Sequence, residues 1–244
     1  MRFTVQPVRF LVFLFGLALC TELHAMMEAD KFVGAWRLVS AEFRAQDGSP
    51  EITAWVVIRP DDTVVVRIAR SEMGQDVYTS MTMLVAEELE VDINKVKVEF
   101  APPAEVYINA LLGGQLTGGS TAVRDAWEKL RKAGASARMM LVAAAADQWG
   151  VDAAQCKAAN GAITGPGGKR VNYGQVAAKA ATMEVPKDVP LKPASQFKVV
   201  GNVKQKRLDT AAKVKGTAQF GIDTRVPGML YAAVAMPPMI GGKV

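Results

Sequence analysis

Residues 71–92 read SEMGQDVYTSMTMLVAEELEVD. Met81, Leu84, Val85 and Leu89 recur at helical spacing, which predicts a helix fed by the tight polar loop Glu72-Met73-Gly74-Gln75-Asp76. The first backbone N–H groups of a helix are unpaired and its dipole end is positive, so a loop placed there can receive an anion, phosphate above all. The competing reading is a plain turn at Gly74 with Thr79 or Ser80 as helix cap. Glu87 and Glu88 fall on the helix flank and read as solvated carboxylates.

Upstream, AWVVIRPDDTVVVRIAR (54–70) is two β-branched runs joined by Pro60-Asp61-Asp62-Thr63, a hairpin that delivers the chain into the Gly74 loop. Downstream, KVKVEF (95–100) alternates as a strand and stops at Pro102-Pro103. A second glycine-rich loop, LLGGQLTGGST (111–121), opens a long helix with Val123, Ala126, Trp127, Leu130, Ala137, Leu141 and Ala145 on one face, up to about Trp149. Ser120 is the expected N-cap, with Asp125 in the first turns where negative charge is favoured. Neither loop is a Walker loop, for want of the lysine after the last glycine, and neither carries the full dinucleotide fingerprint.

The remainder is more broken. Residues 158–172 suggest a hairpin turning at Gly165-Pro166-Gly167-Gly168, followed by a short helix from Gly174 to Ala181. The run 185–193, with three prolines, reads as a linker or an extended wrap. Thr217 to Ile222 and Met229 to Met236 are strand-like, separated by Pro227-Gly228, and the chain closes on Gly241-Gly242-Lys243-Val244 in what reads as a cut domain.

Half of the 244 residues are hydrophobic and 22% are charged, an ordinary globular composition with room for one large or two modest domains. The net charge of +5 and a pI near 9.2 are basic, but Lys and Arg are scattered, and the densest cluster, Lys204 to Arg207, has no interleaved aromatics. Nucleic acid is therefore not an expected partner. Residues 1–25, with Arg2, Arg9 and the apolar run Phe10 to Cys20 before Leu23-His24-Ala25, have the anatomy of a signal peptide. A lipoprotein reading at Cys20 is poorer because Leu19 is bulky. Cleavage after Ala25 would remove the sole histidine, His24, together with Cys20, leaving Cys156 alone. That excludes an intrachain disulfide, a thiolate zinc site, an iron–sulfur cluster and any histidine-based nucleophile activation in the mature chain. Residues 26–53 read as a lipocalin-like opening strand (Phe32 to Phe43) or as an irregular leader.

Three motifs taken in order carry a family resemblance: SEMGQDVYTSMTMLVAEELEVD, GGQLTGGSTAVRDAWEKLRKAGASARMMLVAAAADQWGV and RLDTAAKVKGTAQFGIDTRVPGMLYAAVAMPP. From Ala54 to Val244 the chain resembles the molybdenum-binding large subunit of the xanthine dehydrogenase family, in particular the isoquinoline 1-oxidoreductase β-subunit and related membrane-associated aldehyde dehydrogenases. The resemblance implies an α+β fold: a partial molybdopterin-binding domain (54–184), a linker (185–197) and the start of an α/β-hammerhead-like domain (198–244). It implies molybdopterin, in the dinucleotide form, with molybdenum. Gly74, Gln75 and Thr79 match positions along the pterin and its phosphates, and Gly118, Gly119, Ser120 and Thr121 match a second strip of that pocket. No protein metal ligand is implied, and the family's general-base glutamate lies far beyond the matched region, so no catalytic residue is assigned. The implied partners are a small [2Fe-2S] subunit, a cytochrome c as a further electron acceptor and a small-molecule substrate. The implied reaction is oxidation of an N-heterocycle or aldehyde with water as oxygen donor, in a chain that reads as incomplete, exported to the periplasm and membrane-associated through its partners. Asp76 departs from the family pattern, which has glycine there, and Arg2 and Arg9 are too far apart for a twin-arginine leader. The alternative is a noncatalytic secreted binding module.

Overall fold

A computed structural model describes residues 49–242. The signal peptide and most of the 26–53 leader therefore lie outside the described residues. The β-branched runs form β1 (Glu51–Thr53), β2 (Val56–Ile58) and β3 (Val64–Ile68), joined antiparallel in that order. The turn between β2 and β3 works as its residues require. The Asp61 carboxylate accepts from Thr63 N–H at 3.0 Å, and Asp62 takes a left-handed φ of 66°.

The chain then runs through the Gly74 loop into α1 (Val77–Leu89) and returns as β4 (Lys97–Phe100), which pairs with β3 in parallel, Val65 opposite Lys97 and Ile68 opposite Phe100. A parallel return needs a crossover, and α1 is that crossover. Both glycine-rich loops consequently leave from the carboxyl ends of adjacent parallel strands, β3 directly and β4 by way of Pro102-Pro103.

The second loop opens α2 (Ala122–Trp149). Its long alanine-rich face packs on α1 and on the sheet, with Leu130, Ala137, Leu141 and Ala144 meeting a core of Val56, Ile58, Val66, Ile68, Val85 and Leu89, all fully buried. Trp127, expected on this face, is 40% exposed instead and packs edge-on to Phe197, while Arg131 takes the buried place one turn on. The expected hairpin after Ala158 carries an extra strand: β5 (Lys157–Ala159), β6 (Ala162–Thr164) and β7 (Arg170–Asn172) make a small antiparallel sheet. Helix α3 (Tyr173–Ala180) follows, capped by Asn172 and Gln175.

Two expectations are corrected. Glu87 and Glu88 are not solvated; their exposures are 1% and 0%. Residues 192–200 wrap across that flank of α1 and present donors to both: Lys198, Val199 and Val200 N–H reach Glu87 Oε2 at 2.9, 2.7 and 3.0 Å, Lys192 N–H reaches Glu88 Oε1 at 3.2 Å, and Arg131 Nη2 of α2 reaches the same oxygen at 2.7 Å. Buried carboxylates are tolerated when supplied with donors in this way. Burial pushes the Glu87 carboxyl up, but these N–H groups and Lys192 outweigh it, and the carboxyl is held below its ordinary value.

The strand-like stretches 217–222 and 229–236 do not form strands. After a short helix, α4 (Thr210–Val214), the chain up to residue 242 has one 3-10 turn (Gly221–Asp223) and otherwise bends, turns and irregular backbone, with Ile222, Leu230, Tyr231, Val234 and Met236 exposed. A strand exists only as a rung of a ladder, and no described segment offers these residues a neighbouring strand.

Helices α1 and α2 come close at Gly134, where a Cβ would lie 2.6 Å from Val85 O and 3.3 Å from Glu88 Cβ. Gly134→Ala should therefore force the helices apart and lower stability by about 1–3 kcal/mol, despite alanine's better helix propensity. Urea unfolding followed by circular dichroism would show this as a lower midpoint.

Candidate functional site

Arg70, the last residue before the first loop, points its guanidinium into the space between the two loops' anchors and is 2% exposed. It donates from Nη1 to Tyr107 O at 2.9 Å and from Nη2 to Asp125 Oδ2 at 2.6 Å. Asp125 belongs to the first turn of α2, so one buried ion pair ties the start of the first loop to the helix that ends the second. A second tie is direct: Ser71 N–H donates to Thr117 Oγ1 at 2.8 Å. Asp125 also accepts from Ala110 N–H at 2.8 Å and from Lys129 Nζ at 3.0 Å. Burial raises its carboxyl, but the Ala110 N–H, Lys129 and Arg70 prevail and hold it below the ordinary aspartate value.

The two loops differ in how they treat their helix ends. In the first, the Glu72 carboxylate turns back over the start of α1 and accepts from Gly74, Asp76 and Tyr78 N–H at 2.7, 3.1 and 3.0 Å. An internal anion thus occupies the place that an external one would take. Gln75 spends its amide inside the loop, Oε1 accepting from Met73 N–H at 2.6 Å and Nε2 donating to Ser71 O at 2.9 Å. Neither Thr79 nor Ser80 caps the helix. Asp76 is the N-cap position at φ 68°, the Ser80 hydroxyl donates to Asp76 O, and buried Thr79 accepts from Leu208 N–H at 3.1 Å. A left-handed φ is most easily adopted by glycine and tolerated by aspartate, which accounts for Asp76 at a position where the resembling family has glycine.

The second loop is open. Residues 118–121 form a turn closed by Thr121 N–H to Gly118 O at 3.1 Å, with φ of 55° at Gly119 and 52° at Ser120. Ser120 in that conformation cannot cap, so the N-cap falls to Thr121, whose hydroxyl is engaged elsewhere: it donates to Gly118 O at 2.8 Å and accepts from Asn109 Nδ2 at 2.7 Å. No side chain caps the start of α2. A Cβ on Gly118 or Gly119 would make only ordinary contact, with Leu116 at 3.8 Å or Thr121 at 3.6 Å, and Gly119 and Ser120 are exposed, so the turn leaves room beside the chain. Backbone donors, a positive dipole end and room beside the chain suit a phosphate or pyrophosphate group.

Of the seven residues expected to line a cofactor, Gly74, Gln75, Gly119 and Ser120 are exposed, Gly118 is half-buried, and Thr79 and Thr121 are buried with their hydroxyls in use. Sequence reading missed Arg70, Glu72, Asn109 and Thr117. Their only trace was polar residues flanking the glycine motifs, and the pairings join positions 46 or more residues apart in two of the decisive cases, Ser71–Thr117 and Arg70–Asp125.

The defining pattern of the molybdopterin cofactor-binding domain matches residues 32–223. The chain belongs to that family. Curated relatives place it among the subunits of the xanthine dehydrogenase family. It is 39% identical over 204 residues to a membrane-bound aldehyde dehydrogenase [pyrroloquinoline-quinone] of Gluconacetobacter polyoxogenes, covering 81% of this chain and 26% of the relative. It is 30% identical over 239 residues to the isoquinoline 1-oxidoreductase subunit beta of Brevundimonas diminuta, covering 80% and 30% respectively. Among solved structures, quinoline 2-oxidoreductase from Pseudomonas putida 86 aligns over 50% of this chain and 15% of its own, at 19% identity and a TM-score of 0.40. The chain thus spans less than a third of the length of these curated relatives.

Arg70→Met should leave Asp125 buried with one cation fewer and cost about 3–5 kcal/mol. Because the folded Asp125 carboxyl is held below its ordinary value, its contribution is complete above the ordinary aspartate range and disappears as pH falls through the lowered value. Asp125→Asn should therefore flatten the acid limb of stability against pH, as measured by thermal melts between about pH 2 and 7.

Proposed function

We propose that this chain supplies part of the molybdopterin-binding pocket of a molybdenum hydroxylase that oxidises an N-heterocycle or an aldehyde with water as oxygen donor. The observation that carries this reading is the pairing of two glycine-rich loops at the carboxyl ends of parallel strands, with the second helix start left uncapped. Family membership supports the cofactor, and the names of the relatives support the substrate classes.

In this reading the backbone at Gly118, Gly119, Ser120 and the start of α2 takes the anionic part of the cofactor, which we infer to be the dinucleotide form. Gly74 and Gln75 form the facing wall, while the Thr121 hydroxyl closes the second loop onto Gly118 O and the Thr79 hydroxyl ties the start of α1 to Leu208 N–H. The bound group supplies the redox chemistry; the chain's own residues bind and orient it. Electrons leave to a small [2Fe-2S] subunit and from there to an acceptor such as a cytochrome c. Residues 198–244 begin a second, hammerhead-like domain. The N-terminal 25 residues direct export to the periplasm, and partner subunits provide membrane association, in keeping with a membrane-bound relative. Among the described residues no helix is long and apolar enough to cross a membrane.

Metal analysis and pterin fluorescence of the protein purified with its partner subunits test the proposal. Molybdenum should be present, and Gly119→Val should lower its content about tenfold or more, because a β-branched residue resists φ 55° and fills the open side of the loop. Since the Gluconacetobacter relative is named for pyrroloquinoline quinone, a bound quinone without molybdenum would overturn the assignment.

A further inference from the structure

Apart from the Leu208–Thr79 bond, the RLDTAAKV stretch of the third motif plays no part in the pocket, yet it lies across the first loop. Arg207 Nη1 donates to Gly74 O at 2.9 Å and Nη2 to Glu72 Oε1 at 3.2 Å. Its Nε donates to Asp209 Oδ1 at 3.0 Å and stands 3.5 Å from Asp76 Oδ1. Next to it, Leu208 N–H caps the buried Thr79 hydroxyl. One guanidinium therefore serves three carboxylates and a loop carbonyl more than 130 residues away in the chain.

We propose that Arg207 is a positioning residue that holds the first glycine loop in its cofactor-facing shape by keeping the Glu72 carboxylate over the start of α1. The proposal rests on the cofactor reading for its purpose, but its geometry does not. The loop has positive φ at Gly74 (102°) and Asp76 (68°), and beside the Gln75 brace it is held at the start of α1 by the N–H bonds to Glu72. Without Arg207, Glu72, Asp76 and Asp209 would face one another with Lys213, bound to Asp209 at 2.6 Å, as the remaining cation. Glu72 would then be repelled from the amides it now closes. Burial pushes the Glu72 carboxyl up, while the Tyr78, Asp76 and Gly74 N–H groups and Arg207 bring it below its ordinary value. The bonds to Glu72 are thus present above that lowered value and lost as pH falls through it.

The experiment is amide hydrogen exchange on the 244-residue chain, with no molybdopterin added, for the parent, Arg207→Met, Arg207→Lys and the exposed control Arg225→Met. In Arg207→Met the Gly74, Asp76 and Tyr78 amides should exchange about tenfold faster, as expected for loss of a charged hydrogen-bond partner, while amides in the middle of α2 keep the parent rate. The pH at which the three amides lose protection should rise in Arg207→Met, return part of the way in Arg207→Lys, and stay at the parent value in Arg225→Met. Parent-like exchange of the three amides in Arg207→Met, or an equal acceleration throughout α2, would overturn the proposal. Because the readout needs no cofactor, its outcome is separate from that of the metal analysis.

Discussion

The buried ion pair between Arg70 and Asp125 is the constraint on which the site depends. Two charges this far from water cost several kcal/mol to desolvate, and they are tolerated only because each is further supplied: Arg70 by backbone carbonyls, Asp125 by the Ala110 N–H and Lys129. The arrangement has a geometric effect that an apolar contact would lack, since a charged hydrogen bond fixes direction as well as distance. It sets the exit of β3 against the first turn of α2, and everything between those points, including both glycine-rich loops, must fit within that closure.

Within this frame the loops divide the work. The first closes its helix end with its own carboxylate and uses its glutamine as an internal brace, so it arrives already shaped. The second leaves its helix end free of any side-chain cap, preceded by two consecutive left-handed residues that are both exposed. A rigid wall beside an open anion pole is an arrangement suited to a long cofactor with a phosphate at one end and a flat ring system elsewhere.

Much of the scaffold was legible in the sequence because it follows local rules. Helical spacing located α1 and α2, β-branched runs around Pro60-Asp61-Asp62 located the hairpin, and the order of three motifs located the family. What was not legible depends on distant neighbours. Glu87 and Glu88 look like surface residues until residues 192–200 are seen to cover them with N–H groups. Trp127 and Arg131 exchange the exposures that their polarity suggests, because Glu88 offers Arg131 a buried partner. The strand-like runs after Thr217 fail for the converse reason: alternation supplies a face, but a strand also needs a neighbour. Near the two loops, the glycine-rich runs are visible in the sequence, whereas the helix caps it suggests, Thr79 or Ser80 and Ser120, are not the ones the fold uses. Ser120 has the residue type of a cap, and only its φ of 52° shows that it belongs to the turn.

If the two loops make one site, its anion pole is the start of α2 and not the start of α1. Titrating the isotopically labelled chain with inorganic pyrophosphate, and following the backbone amide resonances, tests it directly. The account predicts saturable shifts at Gly119, Ser120, Ala122 and Val123, with Asp76 and Tyr78 unmoved because Glu72 already holds their N–H groups. Shifts centred on Asp76 and Tyr78, or none at the start of α2, would contradict it.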